Sequence, residues 1–167
     1  MFVGDGCAGC AKMEAITYRD PQVQVELTET SVLLRQDIQR DRLVRVRYAA
    51  VWTPSFYVLD ACGMTHHAEL GYLPPDDLLL MLRQGHAKEL VPLGQYAAAI
   101  ALLEEALTLF PAHPMGAQAI LWWTTARYLK SSGDSRQFRE DWDALLRRYP
   151  PSPEAHCWLW NDFPTEV

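Results

Sequence analysis

Long apolar stretches are missing from this sequence. No run of eighteen apolar residues occurs, and a helix needs about that many to cross a hydrocarbon core. No membrane partner is expected. Basic clusters are missing too. Net charge is −6, and the arginines between Arg35 and Arg47 are interleaved with Asp37 and Asp41, the pattern of a solvated face. Nucleic acid is therefore not an expected partner. No charged segment followed by an apolar core opens the chain, so no export signal is visible. A cytoplasmic location is the expectation, with a periplasmic one open if the natural chain begins upstream. Neither a glycine-rich phosphate loop nor a Ser-His-Asp set is present. Cysteine is scarce: four in 167 residues, too few for a scaffold built from disulfides.

Two of those four cysteines carry the strongest signal in the chain. Cys7-Ala8-Gly9-Cys10 follows a short apolar run, Met1 to Val3, that reads as the end of a buried strand. Gly4-Asp5-Gly6 breaks that strand. Ala8, Ala11, Lys12, Met13, Glu14 and Ala15 suit a helix, so Cys7 is expected at its N-terminus. Unpaired backbone N–H groups and the helix dipole there favour a thiolate, which makes Cys7 the attacking sulfur. Cys10, one turn on, is placed to resolve it. Zinc is the competing reading for such a pair. Structural zinc takes four ligands, however, and Cys62 and Cys157 stand alone. No metal or other cofactor is assigned.

Further along, Asp20-Pro21 marks a helix boundary, with Asp20 as cap and Pro21 in the first turn. Val23, Val25 and Leu27 leave helix and strand both open. Thr30 to Gln36, with Val32, Leu33 and Leu34, reads as a buried strand, and Arg40 to Tyr48 as a short helix carrying Leu43 and Val46. Ser55 to Leu59 has strand composition and follows Trp52-Thr53-Pro54, where a cis proline fits. Asp60 to Gly63 reads as a turn and Met64 to Leu70 as the returning strand. His66 and His67 point to opposite faces of that strand and read as surface histidines. Pro74-Pro75-Asp76-Asp77 opens a leucine-rich helix, with Gly85 as its expected end.

Residues 1–85 in this order resemble a thioredoxin-fold domain. The matching residues are Cys7, Cys10, Lys12, Met13, Thr53-Pro54, the turn Asp60 to Gly63, and Gly71. Within that family the chain resembles a subgroup with Tyr-x-Asp-Pro after the active-site helix (Tyr18 to Pro21) and Gly-Tyr-Leu-Pro-Pro before the last one (Gly71 to Pro75). The resemblance implies an α/β fold with a small central sheet and flanking helices. It also implies a cis Pro54 lying against the CxxC pair. Trp52, Thr53 and Pro54 would then border a groove where an extended substrate strand pairs with the backbone. Three departures stand out. The family's opening strand and helix are absent. Gly6 replaces the tryptophan often found before the first cysteine. The family's buried carboxylate falls on Met1, so either that role is lost or another group takes it, with Asp5, otherwise a turn residue, as the candidate.

Residues 86–167 have a different character. Gly94 to Pro111 is helical and amphipathic. Gly94, Tyr96, Ala99, Leu103, Ala106 and Pro111 fall at the marker spacing of a tetratricopeptide repeat, which the segment resembles. Met115 to Ser131 reads as one helix and Phe138 to Tyr149 as the next, stopped by Pro150-Pro151. A last short helix would carry Cys157, Trp158 and Trp160, with Cys157 buried. So few repeats leave little concave surface, so Trp122, Trp123 and Trp142 read as core or docking residues.

The function implied is thiol–disulfide exchange of thioredoxin type, with Cys7 as nucleophile and Cys10 as resolving cysteine. Its partners would be proteins bearing disulfides or thiols and an electron-donor redox protein. The shortened sheet leans toward a homodimer, because an unfinished edge needs a cover. Two other readings stay open: a scaffold that uses a degenerate thioredoxin fold without turnover, and a thiolate zinc site.

Overall fold

The computed structural model describes residues 1–157. The chain divides into two units, Met1–Glu89 and Leu90–Val167.

The first unit is built on a four-stranded mixed sheet. Its strands are β1 (Phe2–Val3), β2 (Gln36–Asp37), β3 (Ser55–Leu59) and β4 (Thr65–Leu70), in the spatial order β2-β1-β3-β4. β1 runs parallel to β2 and antiparallel to β3, and β3 pairs antiparallel with β4. The arrangement is compatible with a thioredoxin-like fold. Four α-helices accompany the sheet: α1 (Ala8–Ala15), α2 (Pro21–Thr30), α3 (Arg42–Arg47) and α4 (Pro75–Leu90).

The local reasons match the composition. The Asp20 carboxylate accepts from the N–H groups of Gln22 and Val23, and Pro21 fills the first turn of α2, where its missing N–H costs nothing. Asp76 and Asp77 stand in the first turn of α4. Buried Phe2, Met13, Val23, Phe56, Val58, Leu80 and Met81 make the core. The Thr17 hydroxyl donates to the Leu73 carbonyl at 2.7 Å, tying the turn after α1 to the loop that opens α4.

Several expectations need correction. Thr30 to Gln36 is not a buried strand. Thr30 ends α2, only Gln36 and Asp37 pair with β1, and Val32 is 84% exposed. The short helix expected over Arg40 to Tyr48 is present as α3, and its Leu43 and Val46 face solvent. Gly85 does not end α4, which runs on to Leu90. A Cβ at Gly85 would stand 2.6 Å from the Cβ of Val58, so glycine lets α4 close onto β3. The histidines are not surface residues: His67 is buried, with Nδ1 2.5 Å from the Lys88 ammonium. On the opposite face His66 is half-buried, with Nε2 3.1 Å from a carboxylate oxygen of Asp60. In each case a polar partner replaced the water that the sequence suggested.

The second unit is helical: α5 (Tyr96–Leu109), α6 (Gly116–Lys130) and α7 (Ser135–Arg148), then a 3-10 turn at Glu154–His156. The Asp134 carboxylate caps α7 through the N–H groups of Arg136 and Gln137. Ala117, Ile120, Phe138, Trp142, Leu145 and Ala155 form its core. Trp142 is thus a core residue, stacked on Phe138 with ring centroids 5.8 Å apart. Trp123 is half-buried, donates from Nε1 to Glu104 at 3.0 Å and lies under the Arg127 guanidinium. Cys157 is exposed, not buried; its thiol donates to the Glu154 carbonyl at the end of the turn. The expected helical positions Trp158 and Trp160 lie outside the described residues.

Candidate functional site

Cys7 and Cys10 are joined as a disulfide. Their placement follows from the local sequence. β1 ends at Val3, and the Cys7 N–H donates to the Gly4 carbonyl to close the intervening turn. Gly6 stands at φ +67, a conformation open to glycine at little cost. Cys7 is the N-cap of α1 and Cys10 lies in its first turn, with the Cys10 N–H 3.1 Å from the Cys7 sulfur. Both sulfur-bearing residues are half-buried. A helix N-terminus directed at Cys7 stabilises negative charge on that sulfur once the pair is reduced.

The Thr53–Pro54 peptide bond is cis. Pro54 is buried, and its ring reaches the CxxC turn: a Cβ on Gly9 would stand 2.7 Å from the Pro54 Cδ. The Pro54 carbonyl accepts from the Gly71 N–H at 2.8 Å. Thr53 approaches from the strand side, its hydroxyl and methyl each 3.6 Å from where a Gly4 Cβ would be. Trp52 is 66% exposed beside them. Residues 51–54 belong to no strand.

These residues surround one open groove of about 430 Å³. Its walls are residues 5–9, residues 51–54, the Gly71-Tyr72 corner and Ile38. Four of the five residues singled out from sequence, Cys7, Trp52, Thr53 and Pro54, line it; Cys10 sits behind Cys7 across the disulfide. Sequence reasoning did not assign Gly9, Ile38, Val51 or Tyr72 to the groove. Gly71-Tyr72 carried a signal, since the pair belongs to the segment that supported the family resemblance. Ile38 carried none, being a lone apolar residue between Asp37 and Gln39. Tyr72 is further fixed by the Lys12 ammonium, 4.1 Å above its ring.

No carboxylate takes the position where the resemblance expects one. Met1 stands there, and its sulfur accepts the Tyr18 hydroxyl at 2.6 Å. Burial pushes that hydroxyl up to about 12, so it holds its proton at neutral pH. Asp5 is exposed in the turn before Cys7 and lines the groove mouth. Among the described residues, no group of three or more His, Cys, Asp or Glu side chains is arranged to hold a metal ion. None of the helices described is long and apolar enough to cross a membrane. Comparison of the chain with protein-family models, with curated proteins and with solved structures finds no match.

Proposed function

We propose that the protein is a thiol–disulfide oxidoreductase of thioredoxin type. The observation that carries this reading is a disulfide at a helix N-cap, beside a groove whose floor is a cis proline. The reduced Cys7 thiolate attacks one sulfur of a substrate disulfide. A Cys7–substrate bond forms, the substrate's own S–S bond breaks, and its second sulfur leaves as a thiolate that takes a proton from solvent. Cys10, having lost its proton, attacks the Cys7 sulfur. The mixed disulfide breaks, the first substrate sulfur leaves, and Cys7–Cys10 is oxidised by two electrons. A dithiol redox protein returns those electrons. Thr53 and the backbone of residues 51–53 provide an edge for the substrate strand, with Trp52 covering its outer side. In this reading the helices of the second unit are tetratricopeptide-like and serve the molecule structurally.

The test is the redox equilibrium of the pair. Cys62 and Cys157 are exposed thiols that would confuse alkylation, so both are first replaced by serine. Thiol trapping and mass spectrometry across thiol/disulfide buffers should then show a reversible two-electron couple. A potential near about −270 mV marks a reductant, and one near about −120 to −180 mV an oxidant or isomerase. Cys7→Ser should abolish turnover and Cys10→Ser should accumulate mixed disulfides. If Cys7–Cys10 stays reduced in every buffer, the reading is wrong.

A further inference from the structure

The sheet ends in β2 on one side and β4 on the other. β2 offers only Gln36 and Asp37, beside Arg35. A short, charged edge of that kind resists further pairing. β4 is longer, running from Thr65 to Leu70, and carries neither proline nor lysine. Among the described residues it pairs only with β3. Thr65, Ala68 and Leu70 are exposed.

The ladder with β3 fixes which backbone groups of β4 point outward. Ser55 lies opposite Leu70, and one step on the Gly71 N–H donates to the Pro54 carbonyl. Hydrogen-bonded and non-hydrogen-bonded pairs alternate along an antiparallel ladder. Counting back from Gly71, Glu69 and His67 bond to β3, opposite Phe56 and Val58. Ala68 and Leu70 do not, so their N–H and C=O groups point to the free edge. The bulge between Val58 and Leu59 ends the regular ladder beyond His67. The two faces of β4 differ as well. His67 and Glu69 share the face under α4, where His67 meets Lys88. Ala68 and Leu70 share the opposite face, and Leu70 is 61% exposed there.

We propose that β4 pairs antiparallel with β4 of a second copy, about a two-fold axis at Ala68, joining two four-stranded sheets into one of eight strands. The inference stands apart from the oxidoreductase reading. Charge selects the register. An axis at Glu69 would set two carboxylates directly opposite each other, which is unfavourable. An axis at His67 would set two histidines opposite each other and run into the bulge. An axis at Ala68 sets Glu69 opposite the partner's His67, and His67 opposite the partner's Glu69, so each carboxylate meets the side that carries the Lys88 ammonium. The outward N–H and C=O of Ala68 then bond to their own copies. On the other face Leu70 gains cover from the partner's His66. Helix α4 does not stand in the way. It presses on β3, where Gly85 meets Val58. Three strand spacings, about 14 Å, would separate α4 from its copy, more than the roughly 8–10 Å of helices in contact.

The test is sedimentation equilibrium of the full chain, with Cys62 and Cys157 replaced by serine so that exposed thiols cannot link two copies. From about 1 to 100 µM the mass should rise to that of two chains. Ala68→Glu and Ala68→Lys each set like charges opposite themselves at an exposed position, and each should weaken the dimer by about tenfold. Mixing these two variants in equal amounts should restore it, because opposite charges then face each other. Ala68→Pro removes the outward N–H without taking a bond from β3 and should stay monomeric. If circular dichroism shows that the proline variant does not fold, the charged pair decides alone. A parent chain that stays monomeric overturns the inference. So do charged variants that dimerise as well as the parent, a mixture no heavier than its components, or a folded Ala68→Pro that still dimerises.

Discussion

At Gly9 a hydrogen occupies the space where any other residue would carry a carbon 2.7 Å from the Pro54 ring. Two effects oppose each other when alanine is put there. Alanine is the better helix residue by up to about 1 kcal/mol. Forcing a methyl group against a ring that is itself buried costs about 1–3 kcal/mol, because the ring has nowhere to retreat. The overlap wins, so Gly9→Ala should lower the urea midpoint of the oxidised protein without changing the slope of the transition. A raised midpoint would mean that Pro54 does not press on the turn. The contact also marks the limit of what sequence shows at this scale. Cys7 and Cys10 were legible because spacing alone places two thiols one helical turn apart. Pro54 was legible because its neighbours imply a proline before a strand. That Gly9 is required by Pro54 was not legible, since the two are distant in the chain and a glycine does not name what approaches it. Ile38 was missed for the same reason.

Elements were legible where both ends carried their own chemistry. The run Ser55 to Leu59 announced β3 to the residue, whereas Asp20-Pro21 marked only where α2 begins, since Val23, Val25 and Leu27 left helix and strand both open. The misreading of residues 30–36 came from apolar character without a neighbour to bury it. β1 offers only Phe2 and Val3 for pairing, so Val32, Leu33 and Leu34 stay exposed. The link between β4 and α4 shows the opposite error, polar letters that turn out to be buried. Lysine only donates, so the Lys88 ammonium makes Nδ1 of His67 the acceptor and leaves the ring proton on Nε2. That nitrogen lies 3.2 Å from a Glu69 oxygen, within reach but not aligned for a hydrogen bond. Removing one partner of a buried pair is worse than removing both. His67→Leu should therefore cost about 1–3 kcal/mol, by stripping an acceptor from a buried ammonium. The double variant His67→Leu/Lys88→Met should recover a large part of the loss. Urea unfolding of the single and double variants checks this, and a double variant no more stable than His67→Leu alone would show that the contact contributes little.

For the whole molecule, the division into an α/β part and a helical part was visible as a change of composition. The response of the molecule to acid was not, because it depends on which titratable groups are buried. His86 is the informative one. Burial holds its imidazole below the usual value, against the opposing pull of Glu26 and Glu89. The Ser31 hydroxyl lies 3.3 Å from its Nε2. An unfolded chain takes up a proton on this histidine near pH 6.5, whereas the folded chain takes it up only at lower pH. Between those two values the unfolded state binds more protons, so acidification favours unfolding. The contribution of His86 is complete above about pH 6.5 and is lost as pH falls through the folded value. Carboxylates act in a separate window. Backbone hydrogen bonds hold Asp37 and Asp60 below their ordinary 3.8, so their contribution disappears only when pH falls through that lower range. Burial also holds the Met1 ammonium at about 6 against an ordinary 8.0, so urea midpoints measured from pH 7.5 down to 3 should decline in two stages, the first begun by Met1 and continued by His86 below about pH 6.5. His86→Gln should remove the part of the first stage that lies below about pH 6.5 and leave the second. If that part persists in the variant, the proton taken up on unfolding belongs to another group, such as the Met1 ammonium, and His86 is not the one that sets it.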